Sequence, residues 1–261
     1  MKKQFSIDGS HVAVVTGAAG GLGTEFVKQL KNKGATVIAT DIAKSEVVDE
    51  VLDVTDYSQC LKIAEKYNPT IWINNAGLLG PGLIDKIDVK TIEKVIDVNI
   101  LGVIYGTKAA IEVMKGTKKG GSILNIGSLA SYSPTYGIGI YSTSKFGVRA
   151  FTHTAAQEMK PHNIHLSLLC PDGIWTPMLK AEVDNADAAM PFSSGKLLEP
   201  DNVAALGLKL IEARALTGSI PLYRAVLARF AGEAPKLVSN IGKFTAGMGA
   251  KTQQKYKDML N

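Results

Sequence analysis

Tyr141 and Lys145 stand four residues apart in GIYSTSKFG, residues 139–147. On a helix that spacing puts a phenol and an ammonium on one face. A free phenol titrates near ~10, too high for a base at neutral pH. A neighbouring ammonium favours the phenolate. Lowering the phenol to about 7 takes roughly 4 kcal/mol, which two cationic neighbours in a partly desolvated cleft can provide. The chemistry on offer is proton exchange with an alcohol oxygen. Taken alone, the pair reads more simply as a solvated tyrosine beside a solvated lysine.

A second pattern offers a ligand site. TGAAGGLG, residues 16–23, carries glycines at 17, 21 and 23, with Leu22 between the last two. Such a loop turns tightly, lets a ligand approach the backbone, and presents helix N-terminal amides to an anion. Because it follows a strand-like run and opens a helix-like one, it suits a dinucleotide pyrophosphate. Asp41 ends the next strand-like run, where a carboxylate accepts bonds from ribose hydroxyls and repels a 2′-phosphate. Ile42 and Ala43 follow without an arginine, and Lys44 is the nearest positive charge. NAD is therefore expected over NADP.

These groups need a scaffold. Strand-like and helix-like runs alternate, the pattern of a parallel sheet with crossover helices. Strands are expected at 11–17, 35–41, in a short piece ending near Asp53, at 69–77, 121–128, 164–173 and from 216. Phe26, Val27 and Leu30 form an apolar stripe at helical spacing, and Gly34 is a plausible stop. Long helices are expected over 91–115 and about 141–160. Right-handed crossovers stack these strands into one doubly wound sheet. With no linker or repeat, one domain covering 1–261 is expected, carrying a helical extension at 222–261.

Composition sets limits. The chain has 261 residues, 46% of them hydrophobic and 20% charged, ordinary for a protein with a full core. Basic residues exceed acidic ones by 29 to 24, but they are scattered, with short pairs such as Lys118–Lys119 and no interleaved aromatics. No nucleic-acid partner is expected. The opening MKKQFSIDGSH lacks the apolar stretch of a signal peptide. Cys60 and Cys170 fit no metal or redox spacing and are expected as reduced, buried thiols in a cytoplasmic protein. No metal is expected. In the tail, Val226, Leu227 and Phe230 begin an apolar stripe, which Leu237, Val238, Ile241, Phe244 and Met248 continue among lysines. It reads as a cover for the core or a subunit contact; lying on a membrane surface is the alternative.

In order along the chain, Thr-Gly-x-x-x-Gly-x-Gly at 16–23, Asn-Asn-Ala-Gly at 74–77, Ser128 and Tyr-x-x-x-Lys at 141–145 resemble the short-chain dehydrogenase/reductase family, over roughly residues 8 to 221. The resemblance implies a Rossmann-like α/β fold, a doubly wound parallel sheet of about seven strands with helices on both faces. It implies that Asn99 holds a water in a proton relay, Ser128 positions the substrate oxygen, and Tyr141 is the acid/base with Lys145 as partner. Gly17, Gly21, Leu22 and Gly23 would meet the pyrophosphate, and Asp41 and Ile42 the ribose. Asp53 and Val54 would flank the adenine, and Asn75, Ala76 and Gly77 would wall the cofactor. Pro171, Gly173, Ile174 and Thr176, with Tyr141 and Lys145, would lie at the nicotinamide.

Three departures stand out. The second-to-third strand connection is too short for a full crossover helix. Asp172 follows Pro171 where the family usually has glycine. PLYRAVLARF replaces the family's common Val-Asp-Gly-Gly ending. The loops at 78–82, 129–139 and 175–200 supply Leu78, Leu79, Tyr132, Tyr136, Trp175, Met178, Leu179, Met190 and Phe192 for an apolar pocket. The expected activity is NAD-dependent hydride transfer to or from a small hydrophobic secondary alcohol or ketone, by a homodimer or homotetramer joined through the helices at 91–115 and 141–160. An NADPH-dependent carbonyl or 3-ketoacyl reductase stays open, as does a non-catalytic dinucleotide-sensing or membrane-associated protein.

Overall fold

The computed structural model describes residues 5–117 and 120–260, and side chains everywhere in that range except 235–246. The Lys118–Lys119 pair therefore lies outside the described residues, as do the side chains of Leu237, Val238, Ile241 and Phe244.

Seven strands form one sheet: β1 Val12–Thr16, β2 Thr36–Asp41, β3 Glu50–Val51, β4 Ile71–Asn74, β5 Gly121–Ile126, β6 Ile164–Pro171 and β7 Thr217–Ile220, in the order β3-β2-β1-β4-β5-β6-β7. Every pairing is parallel. Both faces are buried, so the strands read as continuous apolar runs rather than alternating ones. Alternation still assigns the faces. Ala13, Val15, Ile73 and Leu124 point into one cluster with Phe26, Leu30 and Val203, while Val14, Trp72 and Ile123 point into the other with Cys60, Ile63 and Met114.

The first cluster is closed by α1, Gly21–Asn32, and α7, Pro200–Ala213. They pack closely because Gly207 has no side chain, where a Cβ would come within 2.7 Å of the Phe26 ring. The second is closed by α2, Tyr57–Tyr67, by α4, Gly102–Lys115, and by α5, Gly139–Met159. Asp56 caps α2 by accepting from the amides of Ser58 and Gln59. Neither α2 nor α7 was anticipated above. As expected, no helix separates β2 from β3 among the described residues.

One expectation needs correction. The helix expected over 91–115 is not continuous: α3, Val89–Ile96, passes through a π-helical turn at Asp97–Leu101 before α4 begins. Between β6 and α7 the chain holds α6, Pro177–Lys180, and two 3₁₀ turns at Ala186–Ala188 and Met190–Phe192. The tail forms two helices, α8, Leu222–Glu233, and α9, Pro235–Asp258. No described helix is long and apolar enough to cross a membrane.

Candidate active site

The strand order reverses direction between β1 and β4, and a crevice outside the carboxyl ends of the strands is where such sheets bind ligands. A cleft of about 1780 Å³ opens there.

Its first wall is the glycine turn. Gly17 has φ +63°, and a Cβ on Gly23 would lie 2.2 Å from the Gly17 carbonyl, so neither position tolerates a side chain. A Cβ on Gly21 would press on Thr176 and Pro177 at 3.1 Å, which brings the segment after β6 over the turn. No side chain caps α1. Asn75 braces the turn from the end of β4, donating through Nδ2 to the carbonyls of Thr16 and Gly17 at 2.9 and 3.0 Å. The amides of Asn75 and Ala76 both donate to Thr16 Oγ1. This glycine cradle with open helix amides fits a dinucleotide pyrophosphate.

Asp41 sits at the end of β2, where one carboxylate oxygen accepts from the Ala19 amide of the turn at 3.0 Å. Lys44 turns elsewhere, donating to the carbonyls of Val48 and Asp49 at 2.9 and 3.3 Å. Ile42, Asp53 and Val54 line the same end. Asp53 is held by bonds from the Thr55 amide and hydroxyl.

At the other end, α5 carries Tyr141 and Lys145 into the cleft. The Lys145 ammonium is 4% exposed, donates to the Ile126 carbonyl at 2.9 Å, and lies 5.5 Å from the centroid of the Tyr141 ring. The Ser128 hydroxyl lies close enough to the Tyr141 phenol to pull its pKa down. Ser128 also caps the short turn after β5, accepting from the Ala130 amide at 3.1 Å. Asn99 comes from the π-helical turn, a widened turn often found at functional sites. It is fully buried. Its side chain bonds both the amide and the carbonyl of Leu78, at 2.8 and 2.9 Å, and donates to Ser144 Oγ at 3.1 Å. Ser144 in turn donates to the Tyr141 carbonyl at 2.7 Å. A Cβ on Gly77 would crowd Asn99 Oδ1 at 3.2 Å, so this glycine makes room for the asparagine amide, with Lys145 Nζ at an ordinary 3.8 Å.

In the chain alone, without the nicotinamide charge, burial pushes the Tyr141 phenol up to about 12, against a smaller downward pull from Ser128. Burial likewise pushes Lys145 down to about 8, since withdrawing a charged form from water disfavours it.

Gly173 makes a close approach, since a Cβ there would sit 2.2 Å from the Pro191 carbonyl. Ile174 forms a bridge with Leu198, and Pro171, Gly173, Ile174 and Thr176 all line the cleft.

The substrate side differs in part from expectation. Leu78, Leu79, Tyr136, Met178, Leu179 and Met190 line the cleft. Tyr132 instead lies between the guanidinium groups of Arg149 and Arg229, 5.0 and 4.7 Å from its ring centroid. Trp175 and Phe192 pack on Tyr256 of α9. Such anchoring absorbs large aromatics that a loop sequence alone leaves unassigned. The wall not anticipated is α8, which contributes Arg224, Leu227, Ala228 and Phe230. Gly232 lets α8 in, since a Cβ there would lie 2.0 Å from the Tyr132 carbonyl. Ser144, Ser193 and Arg224 were also missed. Only Ser144 carries a local signal, lying three residues after Tyr141.

Among the described residues, no group of three or more His, Cys, Asp or Glu is placed to hold a metal. Cys60 and Cys170 are free and buried.

Comparison with known proteins agrees with this geometry. The family model described as short chain dehydrogenase matches residues 11–187. The 3-beta-hydroxysteroid dehydrogenase of Comamonas testosteroni is 30% identical over 235 residues, covering 80% of this chain and 92% of that protein. A short-chain dehydrogenase/reductase from Burkholderia phymatum, solved in complex with NAD, superposes with a TM-score of 0.79 at 25% identity, over 89% of this chain and 96% of that one. A short-chain dehydrogenase from Burkholderia cenocepacia, solved with NADP, gives a TM-score of 0.76 at 24% identity, over 90% and 98% of the two chains. With its glycine turn, parallel sheet and matched residues, this chain belongs to the short-chain dehydrogenase/reductase family of oxidoreductases.

Proposed function

We propose that the protein transfers hydride between NAD(H) and a hydrophobic secondary alcohol or ketone. The observation that carries this reading is the meeting of Tyr141, Ser128 and the buried Lys145 at one end of a cleft whose other end is the glycine cradle. When bound, the dinucleotide supplies the hydride-carrying carbon and, oxidised, a positive charge.

The chain's own residues do the rest. Gly17, Gly21, Leu22 and Gly23 hold the pyrophosphate, Asp41 and Ile42 meet the adenosine ribose, and Asp53 and Val54 flank the adenine. Asn75, Ala76 and Gly77 wall the middle, while Pro171, Gly173, Ile174 and Thr176 close the nicotinamide end. Ser128 hydrogen-bonds the substrate oxygen and fixes its distance. Tyr141 takes the alcohol proton during oxidation and returns it during reduction. Lys145 keeps a positive charge under the phenol, and Asn99 holds the relay water. Asp41, tied to the turn, and Lys44, engaged with backbone carbonyls, favour NAD over NADP, because the carboxylate repels a 2′-phosphate and the nearest lysine in sequence is already held by the backbone.

Residues 222–261 belong to this catalytic unit, and the assembly is a cytoplasmic homodimer or homotetramer joined through the α4 and α5 region. Two free, buried thiols suit a reducing compartment. The test is a panel of cyclic and aromatic secondary alcohols with NAD, and their ketones with NADH, followed by nicotinamide absorbance. Silence in both directions overturns the activity, and tighter binding of NADPH than of NADH overturns the nucleotide assignment.

A further inference from the structure

Apart from the residues given roles above, the cleft contains a charged pair that reaches across three segments of chain. Asp172 leaves the end of β6, and its amide donates to the Ile220 carbonyl at 2.9 Å. Its carboxylate, 9% exposed, pairs with Nε of Arg224 in the first turn of α8. The other guanidinium nitrogens go to Ser193: Nη2 donates to its hydroxyl at 2.9 Å and Nη1 to its carbonyl at 3.4 Å. All three residues line the cleft. One planar fork thus joins the loop after β6, the loop before α7 and the C-terminal helix, which the single point of a lysine ammonium cannot do.

Asp172 stands where the family resemblance leads one to expect a glycine. Burial pushes its carboxyl up, and the Arg224 charge opposes that shift. Removing one member of a buried pair strands a charge, whereas replacing both by neutral groups is tolerated.

We propose that Arg224 is a positioning residue: by pairing with Asp172 and gripping Ser193, it sets the segment 172–176 at the nicotinamide end of the cleft and seats α8 over the alcohol pocket. The proposal rests on the oxidoreductase reading above. Arg224 touches neither reacting atom; it acts through the loops it holds.

The test compares wild type with Arg224→Met, Arg224→Lys, Asp172→Asn and the Asp172→Asn/Arg224→Met double variant. The readouts are thermal unfolding without dinucleotide, NADH affinity by fluorescence quenching, and KM and kcat for an alcohol that wild type oxidises. Arg224→Met is expected to weaken NADH binding and raise the alcohol KM, each about tenfold, with kcat falling by about threefold or less. The double variant is expected to regain thermal stability relative to Arg224→Met, because no charge is left unpaired, yet to bind NADH as weakly, because the grip on Ser193 is gone. Arg224→Lys is expected to fall between wild type and Arg224→Met, having the charge without the fork.

NADH binding by Arg224→Met equal to wild type overturns the proposal. So does a double variant that binds NADH as wild type does, which would trace the loss to the stranded Asp172 charge and leave Arg224 no positioning role. If Arg224→Met does not fold, the double variant carries the same reading: weak NADH binding supports the proposal and wild-type binding overturns it. Failure of the functional reading shows differently, as a wild type without turnover, and the unfolding comparison then judges the pair by itself.

Discussion

The Lys145 ammonium lies 5.5 Å from the centroid of the Tyr141 ring, yet its hydrogen bond goes to the Ile126 carbonyl behind it. The lysine is held by the sheet and offers the phenol its charge through space. In the chain alone this does not overcome burial, which leaves the phenol at about 12 and the ammonium at about 8. The remaining shift toward a usable base must come with the ligands.

The phenol is the first test. Tyr141→Phe keeps the ring and removes the proton carrier, so kcat/KM is expected to fall by about 10²–10⁴-fold, the usual scale of positioned acid/base groups. NADH affinity is expected to stay within about twofold, an RT-scale change. Steady-state rates and fluorescence titration check both. Unchanged turnover refutes the role given to the phenol.

Burial of Lys145 carries a stability cost with a definite pH window. Its folded value is lowered from 10.5 to about 8, so between those limits the unfolded chain binds more protons and stability rises with pH. Below pH 8 the buried ammonium costs about 3 kcal/mol relative to its neutral form, less the benefit of its bond to Ile126. Lys145→Met is therefore expected to stabilise the dinucleotide-free protein at pH 7 by about 2 kcal/mol while abolishing turnover. The gain should shrink as pH rises from 8 to 10.5, and urea melts across that range read it directly. A destabilised variant at pH 7 contradicts the analysis.

The proposed preference for NAD rests on Asp41. Asp41→Ala removes the ribose acceptor and the repulsion of a 2′-phosphate, so the NAD-over-NADP affinity ratio is expected to fall about 10–100-fold. Paired titrations with NADH and NADPH measure it. An unchanged ratio would place discrimination elsewhere.

Gly232 is the contact point of α8. A side chain there meets the Tyr132 carbonyl at 2.0 Å, so Gly232→Val is expected to destabilise the protein by about 1–3 kcal/mol through overpacking. The alcohol KM should rise more than the NADH dissociation constant, because Leu227, Ala228 and Phe230 of the same helix line the substrate side. Calorimetry with steady-state kinetics separates the two effects.

Much of this was legible in the residues. Buried parallel strands are short apolar runs such as VAVVT and IWIN, and each of these two is followed directly by a cleft residue, Gly17 and Asn75. The glycine turn is legible because Gly17 and Gly23 admit no Cβ. What was missed depends on distance along the chain or on burial. Arg224 meets Asp172 and Ser193 only after β7 has been laid down, and nothing local to any of the three announces it. The π-helical turn at Asp97–Leu101 leaves the apolar periodicity of its neighbours nearly intact, so 91–115 reads as one helix. The helix α7 is periodic in sequence, with Val203, Ala204, Gly207, Leu208 and Ile211 facing inward, but it follows a long irregular loop that drew attention from it. The depth of burial of the phenol is likewise not legible, because a sequence shows which charges are near and not how little water surrounds them.

The two-helix tail has a consequence for how such a catalyst can diversify. The glycine turn and the segment packed on it are complete by Pro177, whereas one wall of the cleft arrives with α8. On the proposed function, grafting a different terminus would retune which molecules enter and leave the dinucleotide end as it is. Position 224 pairs with position 172, so such an exchange has to carry both halves of the bolt that fastens the roof.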